Sequence, residues 1–266
     1  MKHDTSMTSA ERSAFINHCE LANCTHSLIE HVSAMASPVP RLLEEPSQAA
    51  VVGSNLLAFA EGVSRQNKED VMDSLLFATL VANKAFNPEK QSEQWYKQYN
   101  DVLTALGWFS TNWRYSRYYS THRRFSMEQV GLEIISSAIA AAALPGPASV
   151  AMLKVAGDAV AALKAQEKPL RIFERQTKTH RGANFRIGAC SESSDGTVNL
   201  AMGAVSFSTD SAVTNVLFWE WNSAEVTAFR GENHLVLDTR LYASLRTQIR
   251  QRLNKSASAA IEEFEI

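Results

Sequence analysis

A change of pattern near residue 167 constrains this chain more than any other feature. Before it, apolar residues recur at three-and-four spacing between helix start and stop signals. After it come short segments rich in Val, Phe, Trp and Thr, punctuated by turn chemistry and not separated by helical stretches. Strands that follow one another without intervening helices pair antiparallel. The expected class is therefore α+β. The helical N-terminal two-thirds (1–167, with an αα-hairpin at 130–165) packs on an antiparallel sheet (168–266), closed by a C-terminal helix, in one compact unit.

Helices are predicted over residues 9–35, 47–62 (capped by Ser47), 68–86, 89–106, 127–144 and 147–166. Pro38 and Pro40 end the first, and Asn87-Pro88 ends the third. Leu144-Pro145-Gly146-Pro147 joins the last two as a tight turn, with Pro147 suited to a first helical position. Strands are predicted at 170–177, 184–192, 197–209, 214–221, 225–229 and 234–237, with turns at Ser194-Asp195-Gly196 and at 230–233. Asp238 or Thr239 then caps a helix reaching about Asn254, whose apolar stripe is Leu241, Tyr242, Leu245, Ile249 and Leu253.

With 26 basic and 28 acidic side chains, the net charge is -2, which gives no global field for nucleic acid. The N-terminus carries no apolar run of signal-peptide type, so synthesis in the cytoplasm is expected, with export or membrane association left open. The uncharged stretch 134–153 is interrupted by Pro145-Gly146-Pro147 and does not read as one membrane span. Three cysteines (Cys19, Cys24, Cys190) are too few for a disulfide scaffold.

Catalytic motifs are absent: no nucleophile elbow, phosphate loop, dinucleotide fingerprint or zinc helix occurs. His18, Cys19, Cys24, His26 and His31 gather near the start, but the simpler reading is thiols and imidazoles on one amphipathic helix, and no metal is expected. His180 and His234 lie near strand ends, where a spatial triad would make the chain a hydrolase.

Three features carry binding chemistry. Residues 108–125 hold seven aromatics and four arginines, with no acid between Asp101 and Glu128. Trp113, Arg114, Arg117, Tyr118 and Tyr119 are the candidates for contact with a membrane or ligand, because each ring pairs an apolar body with a polar tip. The simpler reading is a connection between helices, its aromatics plugging the core and its arginines reaching water. The hairpin 130–165 is Ala-rich. Either it covers the sheet or it inserts into a bilayer, as in an α-helical pore-forming toxin, although Glu133, Lys154 and Asp158 lie within it. Finally, Cys190 alternates with Arg186 and Gly188 on one face of its strand, beside a strand carrying Ala201, Gly203 and Ala204. A groove left by such small residues beneath the hairpin would sheathe an acyl chain held on that thiol; otherwise Cys190 is an ordinary half-buried strand cysteine.

The run Phe185-Arg186-Ile187-Gly188-Ala189-Cys190, the segment Val216-Leu217-Phe218-Trp219-Glu220-Trp221-Asn222-Ser223, and Leu235-Val236-Leu237-Asp238 leading into Leu241-Tyr242-Ala243-Ser244-Leu245-Arg246 together resemble the Erwinia virulence factor (Evf) family of bacterial proteins. The resemblance implies a helical portion on an antiparallel sheet, and a non-enzymatic virulence or host-interaction factor. It implies no cofactor other than a covalent palmitate, thioester-linked at Cys190. The partners it implies are a membrane lipid or a host-cell factor.

Overall fold

The structure is a computed structural model that describes residues 7–22, 47–258 and 261–266. Its elements are, in chain order, α1 (Ser9–His18), β1 (Gln48–Val52), β2 (Asn55–Phe59), α2 (Arg65–Ala85), α3 (Ser92–Ala105), β3 (Trp108–Tyr118), β4 (Arg124–Ser126), α4 (Met127–Ala141), α5 (Gly146–Ala165), α6 (Glu167–Thr177), β5 (Gly182–Glu192), β6 (Val198–Thr209), β7 (Glu220–Asn222), β8 (Val226–Leu237), α7 (Thr239–Ser258) and β9 (Ile261–Glu265). The class is α+β, as the change of pattern predicts.

A seven-stranded sheet ordered β3-β8-β6-β5-β2-β1-β9 forms the middle layer, and β4 pairs with β7 separately. Five of its six pairings are antiparallel and β2–β5 is parallel, so the sheet is mixed rather than purely antiparallel. It also recruits strands from both sides of residue 167.

Each face has its own core. On one, Leu57, Phe59, Leu200, Met202 and Leu235 pack against α2, α3 and α7, whose contributions include Leu75, Trp95, Tyr99 and Tyr242. On the other, Val51, Phe185, Ile187, Ala201 and Val205 meet Ile134 and Ile135 of α4, Val155 and Ala159 of α5, and Phe173 of α6. The Ala-rich hairpin is thus cover for the sheet over the lengths it touches. Small sheet residues set how closely it lies. A Cβ at Gly203 would sit 3.1 Å from the Ile135 nitrogen and 3.2 Å from the Gly131 carbonyl oxygen.

Four local expectations are corrected. Residues 47–62 form the hairpin β1–β2, not a helix. Gly53 takes φ +55° in the turn, the Asn55 side-chain Nδ2 donates to the Val52 carbonyl at 2.6 Å, and both strands are almost wholly buried. Strands buried on both faces lose the two-residue alternation that would have identified them. Residues 170–177 are helix α6, not a strand, burying Pro169, Phe173 and Thr177 at four-residue spacing. Of 214–221, only Glu220 and Trp221 are in a strand; Val216 and Leu217 are core residues on a turn.

The fourth correction concerns 225–237, which is one strand, β8, rather than two strands around a turn at 230–233. Gly231 is there because the Tyr96 ring would lie 2.6 Å from any Cβ it carried. Residues 108–125, read as an aromatic motif or a connection, contain β3 and β4. The first helix is seen as Ser9–His18. The rest of its predicted span, with Pro38 and Pro40, lies outside the described residues, as do Cys24, His26 and His31. The other predicted helices match α2, α3, α4, α5 and α7, the last with the Asp238 carboxylate accepting from the Arg240 and Leu241 amides.

Candidate binding cleft at the edge of the sheet

β3 is an edge strand, and one irregularity decides what it presents. Its pairing with β8 runs Trp108–Leu237, Phe109–Val236 and Ser110–Leu235, skips Thr111, then resumes at Asn112–His234. The extra residue reverses the alternation. Trp108, before the bulge, is buried on the α2 side and donates its indole N–H to Ser74 at 3.0 Å. After it, Trp113 and Tyr115 face the same side and contact Tyr96 at ring separations of 5.9 and 5.4 Å. Arg114, Ser116 and Tyr118 consequently turn toward α4.

There they line a cleft of about 290 Å³ together with Arg117, Tyr119, Glu133, Arg230 and Glu232. Four of the five contact residues expected from sequence thus converge, and Trp113 stands apart on the opposite face of the strand. Sequence reasoning missed Glu133, Arg230 and Glu232 as site members. Glu133 was visible only as a charge in an Ala-rich helix, and the other two had been read as a turn.

The electrostatics of the cleft follow from Glu232. Its side chain is 3% exposed and accepts from Arg230 at 3.3 Å, with Arg114 3.5 Å away. Arg230 also approaches Glu133 at 3.8 Å. The Tyr118 hydroxyl donates to Glu133 at 2.9 Å; burial, then the adjacent carboxylate, pushes its pKa up to about 12, so it remains a donor. Arg117 lies 5.4 Å above the Tyr119 ring, with no carboxylate partner among the described residues. Three guanidinium groups against two carboxylates leave the cleft cationic, and the Arg114 side chain is 70% exposed. Such an array has the chemistry to receive an anion, because guanidinium forks match phosphate and carboxylate oxygens.

Neither His180 nor His234, the candidates for a spatial triad, lines it. His234 sits elsewhere, buried on β8 with Nδ1 2.9 Å from the Thr111 hydroxyl, and burial lowers its pKa. His180 is a strand-end residue whose backbone N–H donates to Glu89. No cluster of three or more metal-ligating side chains occurs among the described residues.

Cys190 is not at this cleft. Its side chain is fully buried on the α2 face, between Phe59 of β2 and Leu200 of β6 in register, whereas the small-residue surface under the hairpin is the other face. A groove shared by this thiol and the hairpin is therefore ruled out by strand parity, because residue 190 and residues 187 and 189 point to opposite sides. Burial raises the thiol far above its ordinary pKa. Cys19 is also buried, and desolvation pushes it up to about 11. Both thiols are expected to resist iodoacetamide at pH 8 in the folded protein and to react in 8 M urea. Native labelling of Cys190, read by peptide mass, would show that its surroundings open.

No family model matches the chain, and no curated protein matches its sequence. Among solved structures it is similar to one described as the structure of the Evf virulence factor, at 12% identity and a TM-score of 0.30, covering 79% of this chain and 84% of that one.

Proposed function

We propose that this protein acts by binding rather than by turnover, and that the β3 cleft docks it on an anionic membrane surface, taking the phosphate of a lipid headgroup. One observation carries this reading. In a chain of net charge -2, Arg114, Arg117, Tyr118 and Tyr119, from a stretch with no acid between Asp101 and Glu128, share one open cleft at a sheet edge with Arg230, so three arginines face two carboxylates there. Arg114 and Arg117 reach the phosphate, the exposed Tyr119 ring lies at headgroup depth, and Tyr118, tied to Glu133, forms the cleft wall beside it. The buried Glu232 carboxylate holds Arg114 and Arg230 in place and offsets the repulsion between them. A membrane-lipid partner of this kind suits a virulence or host-interaction factor.

Co-sedimentation with phosphatidylglycerol-containing vesicles tests it, against pure phosphatidylcholine. Each cation near an anionic surface contributes about 1 kcal/mol, so Arg114→Gln with Arg117→Gln should lower partitioning by roughly 30-fold. Binding should also weaken as salt rises. Equal binding to both vesicle types, or an unchanged double variant, would refute the reading.

A further inference from the structure

The hairpin α4–α5 has a second property that its role as cover leaves unexplained. Helix α5 is twenty residues long and holds an 18-residue window of mean hydropathy 1.2, enough to cross a membrane by length and composition, yet only a third of that window is buried. A helix this apolar in a soluble core is ordinarily mostly buried. The excess exposure is concentrated at one end. Val150 is 66% and Leu153 40% exposed, and the turn between the helices (Ala143, Pro145, Gly146, Pro147) is exposed as well. No charge occurs from Ile134 to Leu153. Along the outward line of α4 the exposed residues pass from Gln129 and Glu133 through Ser136 to Ala140, so polarity fades toward the tip.

The sheet adds a third apolar group at this end. Phe109, 54% exposed, points to the hairpin side of β3, opposite to Trp108. Trp108 aligns through Leu237 with Val198, the first residue of β6. The Ser191 hydroxyl, at the matching end of β5, meets the Met152 sulfur at 3.3 Å. Phe109 and the first turns of α5 therefore stand at the same end of the same face. The cleft residue Glu133 is nine positions before Ala142, about 13 Å along the helix axis, so cleft and tip lie within reach of one membrane plane.

We infer that this tip is a shallow lipid anchor: Val150, Leu153, the Ala143–Pro147 turn and Phe109 enter the headgroup–acyl boundary of one leaflet while the cleft holds phosphate. This rests on the membrane reading above and adds a contact of different chemistry to it. The occupant is lipid rather than a protein partner because the tip offers no charge and almost no hydrogen-bonding side chain to recognise one, whereas a hydrocarbon boundary needs neither. Insertion stops after two turns of α5 because Lys154 and Asp158, ion-paired at 2.6 Å on the exposed side, would otherwise enter the hydrocarbon.

A polarity-sensitive fluorophore on Val150→Cys tests this, in a Cys24→Ser background, where Cys19 and Cys190 are shielded by burial. On anionic vesicles the emission should shift to the blue and be quenched by lipids spin-labelled near the top of the acyl chain. Val150→Asn with Leu153→Asn, which adds no charge, should lower partitioning at least tenfold and leave its salt dependence intact, whereas the arginine pair weakens that dependence. A probe that stays water-like on vesicle-bound protein would overturn the anchor and leave the cleft reading standing. A shift that is equal on phosphatidylcholine would support the anchor and remove the cleft. Failure to bind any vesicle refutes both, and release of trapped dye at the same occupancy would overturn shallow insertion in favour of a spanning hairpin.

Discussion

Replacing Arg186 with Ala is expected to cost this protein about 4 kcal/mol of stability. Arg186 is 1% exposed, and among the described residues no carboxylate pairs with its guanidinium. It donates to Asn55 Oδ1 at 2.9 Å, to Asn184 Oδ1 at 2.7 Å and to the Ser54 hydroxyl, and it lies 4.2 Å from the Trp95 ring and 5.2 Å from that of Tyr99. Burial lowers its pKa to about 10, so it stays charged at neutral pH. Asn55 Oδ1 also accepts from the Tyr99 hydroxyl at 3.0 Å. One side chain thereby ties the parallel β2–β5 pair and the β1–β2 turn to α3.

The magnitude comes from named losses. A desolvated cation–π contact is worth about 2 kcal/mol. Each buried acceptor left without a donor costs about 1–3 kcal/mol, and the emptied volume adds to both. Against these stands the relief of no longer burying a charge. Arg186→Met isolates that relief by keeping most of the volume, and it should lose about half as much. Urea unfolding followed by tryptophan fluorescence measures both variants, with Trp95 as a reporter beside the mutated site. A wild-type midpoint for Arg186→Ala would mean that the cage tolerates being empty.

Asp70→Ala should be nearly as costly, about 3 kcal/mol. Asp70 on α2 is fully buried and takes a two-pronged contact from Arg246 of α7, at 2.7 and 2.6 Å, with the Gln66 amide at 3.0 Å and Arg250 at 3.9 Å. Breaking a buried pair by removing one partner typically costs 3–5 kcal/mol. The lower end applies here because the Arg246 side chain is 26% exposed and can turn to water. The same helices carry a second, more exposed ion-pair cluster, in which the Arg250 side chain (40% exposed) meets Glu69 and the mostly buried Asp73 at 2.9 and 2.8 Å. Arg250→Ala should lose less, about 1–2 kcal/mol, because Arg250 and Glu69 are exposed while Asp73 is left partly desolvated. Equal effects for the two substitutions would show that burial does not decide the strength of the α2–α7 clamp.

The contrast between helices and strands explains what could be read in advance. Helices α2, α3, α4, α5 and α7 are encoded locally, by Ser64 and Ser126 capping N-termini, by Pro147 near a helix start and by apolar stripes at helical spacing. The hairpin β1–β2 escaped because Ala49–Val52 and Leu56–Phe59 are buried on both sides and carry no polar alternation. The break assumed at 230–233 failed because Gly231 answers to Tyr96, a residue of α3.

The cleft shows the same division. Trp113, Arg114, Arg117, Tyr118 and Tyr119 stood out in the sequence as an unusual mixture of rings and cations. Which of them meet is decided by Thr111, one residue that finds no partner in the β3–β8 ladder and so rotates everything after it. Glu133 and Glu232 complete the site from α4 and β8, and no spacing along the chain connects them.

The sequence by itself determined the α+β class, the positions of most helices, the weak overall charge and the clustering of arginines and aromatics between two acids far apart. These are set by interactions within a few residues, or by composition. Tertiary structure alone decided that the sheet is mixed, that Cys190 faces α2 rather than the hairpin, and that the arginines open onto a cleft. Each of those depends on strand register and parity, where a shift of one residue exchanges the two faces, and register is settled by partners more than a hundred residues away.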